Sequence, residues 1–85
     1  MLVQWKPRAA KQLKKLKDPV VIKRIYCKVA ELELFPDTSG VKSLVNHVYA
    51  YRLRAGDYRV FFNVLDNGVE VISIEEVKKR DERTY

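Results

Sequence analysis

Residues 48–85 read VYAYRLRAGDYRVFFNVLDNGVEVISIEEVKKRDERTY, and this stretch decides the fold. Three alternating apolar runs, VYAYRL, YRVFFNV and VEVISI, are separated by two Gly-containing turns, Ala55-Gly56-Asp57 and Asp66-Asn67-Gly68. Alternation with period two, broken by short Gly turns, predicts a three-stranded antiparallel meander. Arg52, Arg54 and Arg59 are set into it, and Lys78, Lys79, Arg80, Arg83 and Tyr85 follow it. Residues two apart on a strand share a face, so Arg52 and Arg54 point the same way. A short turn brings Arg59 close to them. A guanidinium cluster on a sheet, with a tyrosine nearby, suits a phosphate chain and an unstacked base.

The first half reads as a strand followed by two helices. Leu2-Val3-Gln4-Trp5 is a short apolar opening, expected to pair beside the meander. Pro7 fits the first turn of a helix, where its missing N–H costs nothing. Leu13 and Leu16 give that helix an apolar stripe among Lys11, Lys14, Lys15 and Lys17. Asp18-Pro19 ends it and starts the next, with Asp18 as N-cap. Ile22, Ile25, Tyr26, Val29 and Leu32 then recur at helical spacing as a core-facing stripe. Cys27 reads as a small core or boundary residue. Phe35-Pro36 closes the helix, and residues 37–46 read as a loop or short turn. The order is βααβββ: one α+β domain over residues 1–85, with two helices on one face of a four-stranded, largely antiparallel sheet and a basic face left open.

Eighty-five residues allow one modest core. A hydrophobic fraction of 47% is that of a globular chain, not a disordered one. No apolar run approaches the ~20 residues that span a bilayer, so no membrane partner is expected. The N-terminus lacks the apolar stretch of a secretory signal. A single cysteine and the lack of metal-ligand clusters suit a reducing cytoplasm, with no metal and no cofactor. The net charge of +6 is uneven: residues 1–30 carry nine Lys or Arg against Asp18 alone. Such a field attracts polyanions or an acidic partner.

The order of elements and particular residues resemble the RelE/ParE superfamily of small toxins from bacterial toxin–antitoxin pairs. The likeness rests on the helical hairpin RAAKQLKKLKDPVVIKRI, the segment YRLRAGDYRVFFNV and the tail EVKKRDERTY. Members of the RelE branch cut messenger RNA on the ribosome, and those of the ParE branch poison DNA gyrase. The tail, an Arg and a terminal Tyr after the last strand, leans toward RelE. That resemblance implies a ribosome-dependent endoribonuclease toxin held by an acidic antitoxin. Its alternatives are a gyrase inhibitor or a non-catalytic RNA-binding module.

Carried over by position, the resemblance implies catalytic roles for Arg52, Arg59, Arg80 and Tyr85. A further lysine of RelE, used in proton chemistry, falls on Ala50, which is a departure. Arg54, Lys78, Lys79, Arg83 and Phe61 are expected to contact RNA. Guanidinium stays charged and grips phosphate oxygens in a fork, so arginine stabilises charge but makes no base. Candidate proton carriers are Lys79, His47, Lys78, Tyr85 and the acids Glu75 and Asp81. Several of these residues have plainer readings. Arg54 equally suits a salt bridge with Asp57 or Glu70, and Phe61 equally suits the core. His47 suits a solvated loop, and Tyr49 and Tyr51 suit packing against the helices. Residues 78–83 suit a charged tail.

Overall fold

The computed structural model of the protein describes residues 1–80. Asp81, Arg83 and Tyr85, all expected at the site, lie outside the described residues. The elements are β1 (Leu2–Trp5), α1 (Pro7–Lys14), α2 (Pro19–Ala30), a 3₁₀ turn (Glu31–Leu34), β2 (Val41–Ser43), β3 (Tyr51–Ala55), β4 (Tyr58–Asp66) and β5 (Glu70–Lys79).

The expected meander is present as β3, β4 and β5, with β3–β4 and β4–β5 antiparallel. Its first hairpin has a two-residue loop, Gly56-Asp57, between the paired Ala55 and Tyr58. Gly56 takes φ +62°, a left-handed conformation that costs glycine little. The second loop is pinned by the Asp66 carboxylate, whose Oδ1 accepts from the Gly68 N–H at 3.2 Å.

The sheet has five strands in the order β1-β5-β4-β3-β2, not four. The added strand, β2, falls in the segment read as a loop. It pairs antiparallel with β3 through Val41–Leu53, Lys42–Arg52 and Ser43–Tyr51. Within the strand only Val41 is apolar, so the strand owes its form to the open edge of β3 rather than to its own pattern. β1 pairs in parallel with β5, Leu2 opposite Val71 through Trp5 opposite Ile74. The meander begins at Tyr51, later than the alternation of Val48-Tyr49-Ala50 suggests. The intervening loop closes on itself, the Leu44 N–H donating to the Ala50 carbonyl at 2.9 Å.

Both helices cover one face. Ala9 and Leu13 of α1 and Ile25 and Val29 of α2, with Leu32, are buried against Leu53, Ala55, Val60, Phe62, Ile72, Ile74 and Val77. Phe62 is fully buried, edge-on to Phe35 at 5.6 Å and stacked on Tyr51 at 5.2 Å. Truncating such a side chain to alanine costs about 3–5 kcal/mol. Asp18 caps α2 as expected, its carboxylate accepting from Val20 and Val21 N–H at 3.0 and 3.4 Å. Two residues of α2 depart from expectation, Tyr26 from the core-facing stripe and Cys27 from a core or boundary place. Tyr26 is exposed and stacks on Trp5 at 6.3 Å, and Cys27 is exposed. The fully buried residues of α2 are Ile25 and Val29, with Val21 and Ile22 partly buried against the core.

α1 also seals the part of the β5 edge that β1 leaves open. The Lys6 N–H donates to the Ile74 carbonyl at 2.9 Å, and the Val77 N–H donates to Gln12 Oε1 at 2.7 Å. Otherwise those buried strand groups would stay unpaired at a cost of about 1–3 kcal/mol each. No helix among the described residues is long and apolar enough to cross a membrane.

Candidate functional site

Cross-strand register orders the face that the helices leave open. One row runs Lys42, Arg52, Phe61, Glu76 across β2 to β5, and the next runs Arg54, Arg59, Lys78. The rows are two residues apart along the strands, about 7 Å. A bulge sets this alignment. Phe62 pairs with Ile74 but Phe61 pairs with Glu76, so Glu75 is an extra residue on β5. Without it, regular pairing would put Val77 opposite Arg59. With it, Val77 turns into the core and Lys78 takes the place beside Arg59.

Four of the expected arginines, Arg52, Arg54, Arg59 and Arg80, converge on one cleft of about 120 Å³. It is lined by Arg52, Arg54, Gly56, Tyr58, Arg59 and Arg80. Arg80 is tethered there by its backbone N–H, which donates to the Asp57 carbonyl at 2.7 Å. Gly56 keeps the hairpin tip low. A Cβ there would meet the Arg24 guanidinium at 3.4 Å, in a backbone conformation that L side chains rarely adopt.

The electrostatics are those of an anion site. Desolvation, followed by the charges of Arg52, Arg80 and Arg54, lowers the Arg59 pKa from its usual value. Arginine nevertheless remains a cation at neutral pH. Arg54 forms no salt bridge with Asp57 or Glu70 among the described residues. The Arg52 Nε is buried without a hydrogen-bond partner. An orphaned buried donor costs about 1–3 kcal/mol, and like charges directly opposite on strands repel. An anion in the cleft would offset the repulsion among these guanidinium groups.

Other expected residues fall elsewhere. Lys79 pairs with Tyr58, so it projects from the opposite face to Arg59, whereas Lys78 shares the Arg59 face. Ala50 sits exposed in the loop before β3. Phe61 does share the open face, yet it is only 8% exposed, because the 44–50 loop folds over it. His47 stacks on Phe61 at 5.2 Å with an interplanar angle of 11°, and Tyr49 tilts against it at 5.5 Å. Tyr49 therefore packs away from the helices, while Tyr51 packs toward them. Tyr58 and Gly56 are lining residues that strand periodicity does not single out. The doubled acid Glu75-Glu76, which interrupts the alternation Ile72, Ile74, Val77, is the sequence signal for the bulge. Among the described residues no group of three His, Cys, Asp or Glu is placed to hold a metal ion.

The profile of the ParE toxins of type II toxin–antitoxin systems (parDE) matches residues 3–83. Solved structures share the fold. The toxin–antitoxin complex RelBE2 from Mycobacterium tuberculosis contains a chain that aligns with TM-score 0.76 and 23% identity, over 93% of this chain and 96% of that one. A YoeB/ParE toxin from Agrobacterium tumefaciens aligns with TM-score 0.73 and 12% identity, over 95% and 100%. A mutant of the E. coli toxin RelE in the free state, with two arginines replaced by alanine, aligns with TM-score 0.70 and 25% identity, over 98% and 85%. No curated protein sequence matches the chain.

Proposed function

This chain belongs to the ParE toxin family of type II toxin–antitoxin systems, and from its likeness to RelE and its arginine cleft we propose that it is a toxin that cleaves messenger RNA on the ribosome and so arrests translation. The observation that carries the reading is the convergence of Arg52, Arg54, Arg59 and Arg80 on one cleft, with a buried Arg52 N–H that lacks a partner.

In the proposed step the ribose 2′-OH attacks the adjacent phosphorus. The new O2′–P bond forms as the P–O5′ bond breaks, giving a 2′,3′-cyclic phosphate and a 5′-hydroxyl. The proton lost by the 2′-OH is balanced by one gained at the leaving oxygen. The guanidinium cluster stabilises the charge that builds on the phosphoryl oxygens, a contribution worth about 10²–10³ in rate per donor. The ribosome holds the message in line for attack. Tyr85 is assigned to stacking or proton transfer, and Arg83 and Lys78 to backbone phosphates. The toxin acts in the cytoplasm and is silenced by an acidic antitoxin that covers the basic surface, as the RelBE2 likeness supports.

A second reading, inhibition of DNA gyrase without hydrolysis, draws on the match to the ParE family, on Ala50 and on the arginine cleft itself. None of the described residues lining that cleft is Asp, Glu, His or Lys. Primer extension on messages after brief induction separates the two. New 5′ ends within translated codons are expected. Intact messages with DNA damage would replace the nuclease reading with the gyrase one.

A further inference from the structure

A second cleft lies beside the arginines on the same face. It encloses about 500 Å³ and is lined by Arg8, Asn46, His47, Val48, Tyr49, Phe61, Glu76 and Lys78. The sheet places it within one nucleotide of the phosphate cleft: Lys78 lines it and stands in the row of Arg54 and Arg59, while Phe61 stands between Arg52 and Glu76. Three features give it a floor, a wall and a fixed shape.

The floor is aromatic. Phe61 covers one face of the His47 imidazole, and His47 is exposed, so its other face is available for stacking. Phe61 itself is covered, so its role is to support the ring above it.

The wall is Glu76. Its side chain is 14% exposed and lies 3.7 Å from the Lys78 ammonium. A carboxylate offers about four acceptor positions in its plane. Lys78 and the Tyr49 hydroxyl engage part of this capacity, and Glu76 still lines the cleft. Tyr49 lies between Glu76 and Arg8. Burial, then hydrogen bonding to Glu76 and its charge, raise the phenol pKa, against an opposing effect of Arg8. The phenol is therefore a donor at neutral pH.

The shape is fixed by backbone hydrogen bonds. Asn63 Oδ1 accepts from the Ala50 N–H at 2.8 Å, and His47 Nδ1 accepts from the Tyr49 N–H at 3.0 Å. The loop is thus tied to β4 and the imidazole is held in one orientation.

We infer that this cleft is a nucleobase subsite, in which a base next to the bound phosphate stacks on His47 and is read by Glu76. The Glu76 carboxylate selects for adjacent N–H donors on the pairing edge of the base, and Lys78 and Arg8, which line the same cleft, suit a carbonyl next to them. Guanine offers two side by side, N1–H and the N2 amino group. Adenine and cytosine place a ring acceptor beside their amino group, and uracil flanks its single N–H with two carbonyls, all repelled by a carboxylate. The subsite therefore favours guanine, by about tenfold or more for a bidentate contact. Glu76 is the specificity-determining residue and His47 the stacking platform. For RNA as the natural ligand, the inference rests on the function proposed above.

The test is an NMR titration of the purified protein with the four nucleoside 5′-monophosphates, followed by cleavage mapping on ribosome-bound messages. Guanosine monophosphate is expected to shift the His47 and Tyr49 ring signals and to bind about tenfold more tightly than the other three. Glu76→Gln is expected to abolish that discrimination, and His47→Ala to weaken binding of every base. A thermal melt of each variant confirms that it is folded, and Glu76→Asp serves as a second variant that keeps the charge but shortens the reach. Equal binding of all four nucleotides to the wild type, or shifts confined to Arg52, Arg54 and Arg59, would overturn the subsite. Guanine selectivity in a protein that cuts no message would uphold the subsite and refute the nuclease. Message cleavage indifferent to guanine beside the cut would do the reverse.

Discussion

Replacing Arg52 with methionine is expected to make the protein more stable and less active. Arg52 is half-buried in β3, its Nε is buried without a partner, and it stands directly opposite Lys42 on β2. Methionine keeps an unbranched stem of similar reach, so little packing is lost. Removing an unsatisfied buried donor returns about 1–3 kcal/mol, with the low end fitting a half-buried side chain. Removing a like charge opposite Lys42 returns a further ~0.2–1 kcal/mol. A net gain of about 1–2 kcal/mol corresponds to a rise in Tm of roughly 4–8 °C per kcal/mol for a domain of this size. The same change removes one phosphate-binding donor, so cleavage should fall by about 10²–10³. Circular dichroism melts and cleavage of ribosome-bound message read the two effects. Inorganic phosphate should raise the Tm of the wild type more than that of Arg52→Met. A lower Tm with undiminished cleavage would refute the reasoning, because Arg52 would then be an ordinary structural cation.

Asp18→Ala removes the cap of α2 and should cost about 1 kcal/mol of stability, with cleavage unchanged, as chemical denaturation and a cleavage assay would show. The raised Tyr49 pKa means that the folded protein holds a proton which the unfolded chain releases near pH 10. That stabilisation is complete below about pH 10 and is lost as pH rises through the folded value. Tyr49→Phe should flatten the alkaline decline in denaturant midpoints, and an unchanged profile would contradict the assignment. At the chain end, Tyr85→Phe retains a ring for stacking and Tyr85→Ala does not. Activity kept by Phe and lost by Ala means stacking, equal loss means that the hydroxyl acts, and no loss on deleting Tyr85 removes the residue from the mechanism.

The meander was legible because its chemistry is local. Alternating Val, Ile, Phe and Tyr between Gly56 and Gly68 turns specify strand, turn and face together, and with them the shared face of Arg52, Arg54 and Arg59. The cap at Asp18 is local in the same way. β2 was hidden because its strand character comes from a partner: Val41-Lys42-Ser43 has no alternation of its own. Tyr49 reads as part of the first strand because alternating residues look alike whether they pair or fold over a neighbour. The Leu44–Ala50 closure and the Asn63 anchor, which depend on tertiary structure, decide between the two. The facing of Lys78, Lys79 and Glu76 turns on one extra residue, Glu75, and a single bulge reverses every assignment beyond it. Arg8 reached the site from α1 only because that helix seals the free edge of β5. The order of every element but β2 was thus readable along the chain, whereas the second cleft needed register.

The central claim is that the arginine cleft binds a phosphate of the message and assists its cleavage. The most direct measurement is end-group analysis of a defined message on purified ribosomes, incubated with the wild-type protein and with Arg59→Ala. The wild type should yield fragments ending in a 2′,3′-cyclic phosphate and beginning with a 5′-hydroxyl, and Arg59→Ala should yield about 10²–10³-fold less of both. Intact message with the wild type, or equal yields from the two proteins, would contradict the account.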